Sequence, residues 1–218
     1  MGNFARLLVI NIIVVIILVG GGATAFYFYN ESTNYVKTDN ASIGGQSISI
    51  AAPASGKLNT WNAKTGDTYS SDETLGNIAS QGVDGKPVTT SVKMPHSATV
   101  VQNTGVKNTF VAAGTQLAVA YDLDALYVTA NVDETDIDDI KTGQKVDIYV
   151  DAYPNTTFTG RINQIGSTTS STFSLLPSTN TNSNYTKVTQ VIPVKVSIDN
   201  YKGVKLMPGM NVTVRIHI

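Results

Sequence analysis

Apolar positions are arranged in two different ways along this chain. From residue 7 to residue 29 they run almost unbroken for 23 residues, with Asn11 the only strongly polar member. A helix of that length spans roughly 35 Å, enough to cross a bilayer core of about 30 Å. The far end carries Phe26, Tyr27, Phe28 and Tyr29, an aromatic belt suited to the lipid–water boundary. Arg6 precedes the run, and Glu31, Lys37 and Asp39 follow it, so the positive-inside rule predicts a cytoplasmic N-terminus. The competing reading is a signal peptide cleaved after Ala25, since Ala23, Thr24 and Ala25 have the small-x-small form. An uncleaved anchor is the expectation, because the apolar run is long and its aromatics continue past that site. Both readings export the rest of the chain.

From Tyr35 onward no helical period is sustained. Short β-branched segments alternate with Gly, Pro, Asn and Asp. They predict strands over 47–51, 99–102, 125–132, 145–150, 190–198 and 211–218. In the fourth of these, Val146, Ile148 and Val150 share one face. A single short helix is predicted to start at Asp133 or Glu134, to carry Ile137 and Ile140 as an apolar i, i+3 pair, and to end at Gly143. The chain is thus mainly β, in small barrels or sandwiches.

The chain also repeats itself. Residues 52–58 and 94–100 share the form apolar-Pro-x-Ser-small-x-apolar, and Pro53 and Pro95 lie 42 positions apart. Each copy is followed by a turn glycine and an apolar residue, Gly66 and Leu75 in the first, Gly114 and Leu117 in the second. Such units form two halves of one β-domain, since neither buries its apolar face alone.

Composition narrows the chemistry. With 15 basic and 16 acidic side chains the net charge is −1, so no global positive field attracts nucleic acid. The absence of Cys excludes disulfides, thiolate metal sites and a cysteine nucleophile. No Gly-x-Ser-x-Gly elbow occurs, and residues 82–87 are too short for a phosphate loop. His96 and His217 are too few and too far apart in sequence for a zinc site, and each reads as a solvated turn or strand-end residue. The acidic cluster Asp133, Glu134, Asp136, Asp138 and Asp139 lacks calcium-loop spacing and suits a helix start. Lys93 stands next to Met94 as carrier lysines do, but Pro95 places it on a strand rather than a hairpin tip. No catalytic residue, metal or cofactor is expected.

Several segments together carry a family resemblance. The two Pro-containing half-motifs resemble the split lipoyl-type domain of membrane fusion proteins, the HlyD family of efflux adaptors. Residues 35–41 resemble the segment after the anchor in the EmrA-like multidrug branch. Residues 126–134 and 143–146 resemble the start of the family's β-barrel, 158–162 its next strand, and 207–212 its closing strand. Residues 173–177, 184–188 and 190–194 are similar to features of the EmrA-like branch, although Val191 stands where that branch often has Arg.

The resemblance implies a membrane anchor within 1–30, a barrel strand and linker in 31–45, a lipoyl-like (barrel-sandwich hybrid) domain over 46–120, and a β-barrel over 121–218. The lipoyl halves are 46–80 and 91–120, joined by 81–90. The family's long helical hairpin is missing from that joint, since no heptads occur there. The hairpin reaches an outer-membrane channel, so its absence implies a Gram-positive-like envelope. The implied function is an adaptor in multidrug or hydrophobic-compound efflux, anchored in the bilayer through residues 7–29 and homo-oligomeric. Its implied partner is a polytopic transporter of the major facilitator type, with an ABC exporter as the alternative. A membrane-anchored cell-wall-binding or scaffold protein explains the anchor and β-domains but not the ordered motifs. Phe173, Leu175, Leu176 and Pro177 interrupt a Ser/Thr/Asn-rich stretch over 167–184. They form either an apolar latch onto the barrel or a loop that docks on the transporter.

Overall fold

The unbroken apolar run forms one helix and the alternating segments form strands. A computed structural model describes residues 3–82, 86–168 and 190–218. Helix α1 spans Asn3–Asn34 and leads directly into β1 (Tyr35–Gly44). Eight strands then follow: β2 (Ser47–Ala51), β3 (Gly56–Trp61), β4 (Thr68–Tyr69), β5 (Thr74–Gln81), β6 (Pro87–Lys93), β7 (Ala98–Asn103), β8 (Phe110–Val111) and β9 (Gln116–Tyr121). The chain continues through β10 (Tyr127–Asp133), a 3-10 helix (Glu134–Asp139), β11 (Lys145–Val150), β12 (Thr157–Ile165), β13 (Val191–Ile198) and β14 (Asn211–His217).

Strands β2 to β9 make a sandwich of two four-stranded sheets, ordered β2-β9-β7-β4 and β6-β5-β3-β8. Moving 42 positions along the chain carries β3 onto β7, β4 onto β8, β5 onto β9, and β2 onto the end of β6. The same move turns one sheet order into the other. Each sheet therefore takes two strands from each half, and neither half has a complete sheet of its own. The turn hydrogen bonds obey the same period. Gly66 N donates to Val100 O at 2.8 Å, and Asn108 N to Leu58 O at 2.7 Å. Asp72 N donates to Met94 O, and Gly114 N to Ala52 O, both at 2.8 Å. The core pairs off likewise, with Ile50 and Val92, Leu58 and Val100, and Leu75 and Leu117 all buried in one cluster.

This frame corrects the expected pairing of turn glycines. Gly66 (φ +94°) is equivalent to Asn108 (φ +70°), and Gly114 (φ +83°) to Asp72 (φ +64°). The turns demand a left-handed residue, and Asn or Asp supplies it at modest cost where Gly is not used. The two halves join directly. Gln81 of β5 faces Pro87 of β6, and Gly82 N donates to Lys86 O at 2.8 Å.

The remaining strands close a six-stranded barrel in the order β1-β10-β13-β12-β11-β14. Alternation sets its inside: Val146, Ile148 and Val150 of β11, Phe158 of β12, Val194 and Val196 of β13, and Val214 and Ile216 of β14 are buried. Gly160 has no room for a side chain, because a Cβ there would run into Ser197 O. The helix predicted from Asp133 to Gly143 is shorter and tighter than expected. It is a 3-10 turn over Glu134–Asp139, and the Asp133 side chain makes no cap bond. Four of its six residues are acidic, and only Ile137 among the six is apolar, so little burial favours a longer helix. Gly143 lies beyond it at φ +89°, in the turn before β11.

By compactness the chain divides into Met1–Ala41 with Ala130–Asp199 and Thr213–Ile218, and Ser42–Thr129 with Asn200–Val212. Hydrogen bonds explain why Asn200–Val212 joins the second unit. Tyr201 Oη donates to Asp124 O at 3.0 Å and accepts from Leu126 N at 3.0 Å. Gly209 N donates to Ile43 O at 2.7 Å, and Ile43 N to Met210 O at 2.9 Å.

Candidate functional site

Four surface features are built from the described residues. The first is α1. Its apolar stretch Ile10–Tyr27 has the length and composition to cross a membrane, and none of it is buried against the rest of the chain.

The second is a turn at one end of the sandwich. Trp61 and Asn103 occupy equivalent positions in the two halves and are joined by a 2.8 Å bond from Trp61 Nε1 to Asn103 Oδ1. The same oxygen accepts from Gly105 N at 3.1 Å, and Asn103 Nδ2 donates to Ala63 O at 2.6 Å. Gly105 lies so close to the Trp61 ring that a Cβ would come within 2.5 Å of Cε2. This braced base presents Val106 and Phe110 to solvent, with Phe110 82% exposed. The equivalent of Phe110 in the first half is Thr68. Lys57 faces Phe110 across the sheet, so the patch is apolar with a basic neighbour.

The third is the outer face of β1, β14 and β11. Asp147 lies at its centre with its side chain only 14% exposed. His217 Nε2 is 2.9 Å from Asp147 Oδ2, Arg215 Nε 3.9 Å from the same oxygen, and Lys145 Nζ 4.0 Å from Oδ1. The Arg215 guanidinium stacks 4.0 Å over the Tyr35 ring, and His217 meets that ring edge-on at 4.9 Å. His217 ends the last strand as expected but is held there, not freely solvated. Sequence reasoning missed this cluster because only the adjacency of β11 and β14, which are far apart in the chain, creates it.

The fourth is a cleft of about 470 Å³ in the second unit, lined in part by Thr99, Asp122, Asp124, Tyr201 and Lys205. Burial pushes the Tyr201 phenol above its ordinary 10.0; the bond from Leu126 N opposes this, and Asp124 and Asp122 add to it.

The residues singled out from sequence are placed as follows. Phe173, Leu175, Leu176 and Pro177 lie outside the described residues. Lys93 is the exposed last residue of β6, opposite Thr74, and His96 is exposed in the bend before β7. Among the described residues no three His, Cys, Asp or Glu side chains gather as a metal site would require.

Comparison with known proteins adds the following. The family model described as YhbJ, barrel-sandwich hybrid domain, matches residues 46–122. The model described as YknX-like beta-barrel domain matches residues 126–216. The chain is 46% identical over 214 residues to YhbJ, a candidate efflux system component of Bacillus subtilis (strain 168), covering 98% of this chain and 94% of that one. It is 39% identical over 113 residues to the colistin resistance protein EmrA of Acinetobacter baumannii, covering 51% of this chain but 32% of that one. The chain thus matches about a third of the longer EmrA protein. Among solved structures, the membrane fusion protein Spr0693 of Streptococcus pneumoniae R6 aligns with a TM-score of 0.56 at 13% identity, covering 84% of this chain and 97% of that one.

Proposed function

The chain belongs to the membrane fusion protein family of efflux adaptors, and on that premise we propose that it is the adaptor subunit of a multidrug or hydrophobic-compound efflux system. The observation that carries this reading is the 46% identity to YhbJ over 98% of the chain. It spans anchor, sandwich and barrel in one order. The proposed adaptor has a cytoplasmic N-terminus and is held in the bilayer through residues 7–29, with both β-domains outside. It performs no chemistry and holds no cofactor. Its energy comes from a polytopic transporter, of the major facilitator type by preference and of the ABC type as the alternative. Homo-oligomers of the adaptor shape an exit path over the transporter's outer face. The direct β5–β6 joint supports an envelope without an outer membrane, because no hairpin extends the sandwich toward a distant channel.

Mild-detergent purification of the tagged full-length protein from its native membrane, followed by mass spectrometry, tests this. A stoichiometric polytopic transporter is expected, and its class names the energy source. Recovery of wall fragments alone sinks the adaptor role in favour of a scaffold. Replacing Phe173, Leu175 and Leu176 with Ser tests the docking loop. Transport and co-purification are expected to fail while folding survives.

A further inference from the structure

Before its aromatic end at Phe26, the apolar span of α1 contains two hydrogen-bonding side chains that the bilayer would have to accommodate, and the chain treats them differently. Thr24 is satisfied within the helix, its Oγ1 donating to Gly20 O at 2.7 Å. Asn11 is exposed on the helix and makes no hydrogen bond among the described residues. A carboxamide is absorbed by a helix only in part: Asn34 Nδ2 reaches Asn30 O at 2.9 Å and needs the Asn30 side chain as a second acceptor, and the residue four before Asn11 is Leu7, which has no such side chain. Depth makes this costly. Counting back about 30 Å from the aromatic belt places the near edge of the hydrocarbon roughly three residues before Asn11. The side chain is too short to reach back across about 5 Å to water.

The surroundings of Asn11 form a seam. Asn11, Val15, Leu18, Gly22, Ala25 and Tyr29 recur at spacings of four, three, four, three and four. That is the repeat of a left-handed helix pair, and Asn11 occupies one of its core positions. Asn11 also borders a shallow apolar groove with Ile12, Val15 and Ile16, so a facing side chain has a place to sit. Gly22 and Ala25 let a second helix approach closely along the outer half.

We propose that this face of α1 binds a second copy of the same helix in parallel, with Asn11 hydrogen-bonded to Asn11 of the other copy. The chemistry selects this occupant. A carboxamide carries both donor and acceptor and is complementary to itself. All copies insert with one orientation, so their Asn11 side chains lie at the same depth. The pairing rests on α1 spanning the membrane, as in the adaptor reading, and it adds the surface through which anchors associate.

The absence of Cys makes the test free of background. Single cysteines are placed in the full-length chain at Gly22 and Ala25 on the seam, and at Gly20 and Tyr27 on the opposite side. Membrane vesicles of the expressing cell are then oxidised with copper phenanthroline. Seam variants are expected to give about tenfold more disulfide-linked homodimer than the other two. Adding Asn11→Leu to the Ala25→Cys chain is expected to reduce the dimer about tenfold, while Asn11→Gln retains it. Equal cross-linking on both sides, indifference to Asn11→Leu, or cross-links to a different protein each overturns the proposal. Resistance of each variant to alkaline carbonate extraction is measured in parallel. Extraction of the protein would refute the anchor itself, whereas an anchored protein without seam dimers refutes only the pairing.

Discussion

At position 61 the first half of the sandwich carries Trp, at the equivalent position 103 the second carries Asn, and these two side chains bond to each other. At positions 75 and 117 both halves carry a buried Leu. At positions 68 and 110 the first carries Thr and the second an exposed Phe. The halves thus agree in apolar character where the core closes and in their turn hydrogen bonds, with side-chain size traded inside the core (Ile78 against Ala120, Ala52 against Met94), and they differ in polarity where a side chain faces solvent or its own counterpart. Backbone pairing and burial constrain both halves alike, because each sheet draws strands from both. Surface positions carry no such constraint, which left the Phe110 turn free to become an apolar contact surface on one half only.

The severest way to break this equivalence is to empty its core. Leu75→Ala and Leu117→Ala are each expected to cost about 2–5 kcal/mol, by similar amounts. Urea unfolding of the micelle-bound chain, followed by fluorescence of the only Trp, measures both. A large loss at one site beside a negligible loss at the other would show that the symmetry is geometric only. Positions 56 and 98 come next. A Cβ on Gly56 would collide with Ala79 O, whereas the equivalent Ala98 already carries one. Gly56→Ala is therefore expected to destabilise by about 1–3 kcal/mol, and Ala98→Gly by less.

The bridge between the halves is a smaller target. Asn103→Ala removes the acceptor for Trp61 Nε1 and the donor to Ala63 O. A loss of about 1–2 kcal/mol is expected, with a red-shifted Trp61 emission as the ring gains water. Unchanged emission would mean that packing alone fixes the ring. The turn residues give opposite signs. Gly114→Ala at φ +83° is expected to cost about 1 kcal/mol, while Asp72→Gly at φ +64° should be neutral or stabilising.

Tyr201 lies outside the duplication and gives the smallest effect. Its folded pKa is raised above 10.0, so its contribution is complete below pH 10 and is lost as pH rises through the higher folded value. Stability should therefore decline only in that alkaline window. Tyr201→Phe should flatten that part of the pH profile, and an unchanged profile would assign the decline to other groups.

Much of the architecture was legible in the chain. Strands Ser47–Ala51 and Lys145–Val150 stand where the alternation placed them, because facing is encoded every second residue. The Pro53 and Pro95 motifs marked the duplication, and the ordered segments marked the family. The short acidic helix and the turn glycines were read less well. A 3-10 turn and a left-handed Asn or Asp differ from their alternatives by about 1–2 kcal/mol, too little for local pattern to decide.

By itself the sequence determined which segment is apolar enough to span a bilayer, that Val146, Ile148 and Val150 share one face of their strand, and that two segments are copies. The first two properties depend on residues one to four positions apart, and the third on matching one short motif to its copy 42 positions on. Only the tertiary structure decided that the copies exchange strands, that Asn103 meets Trp61, and that Asp147 gathers His217, Arg215 and Lys145. Each of these depends on which strands lie side by side. That choice is made by burying apolar faces of segments distant in the chain, and no local period records it.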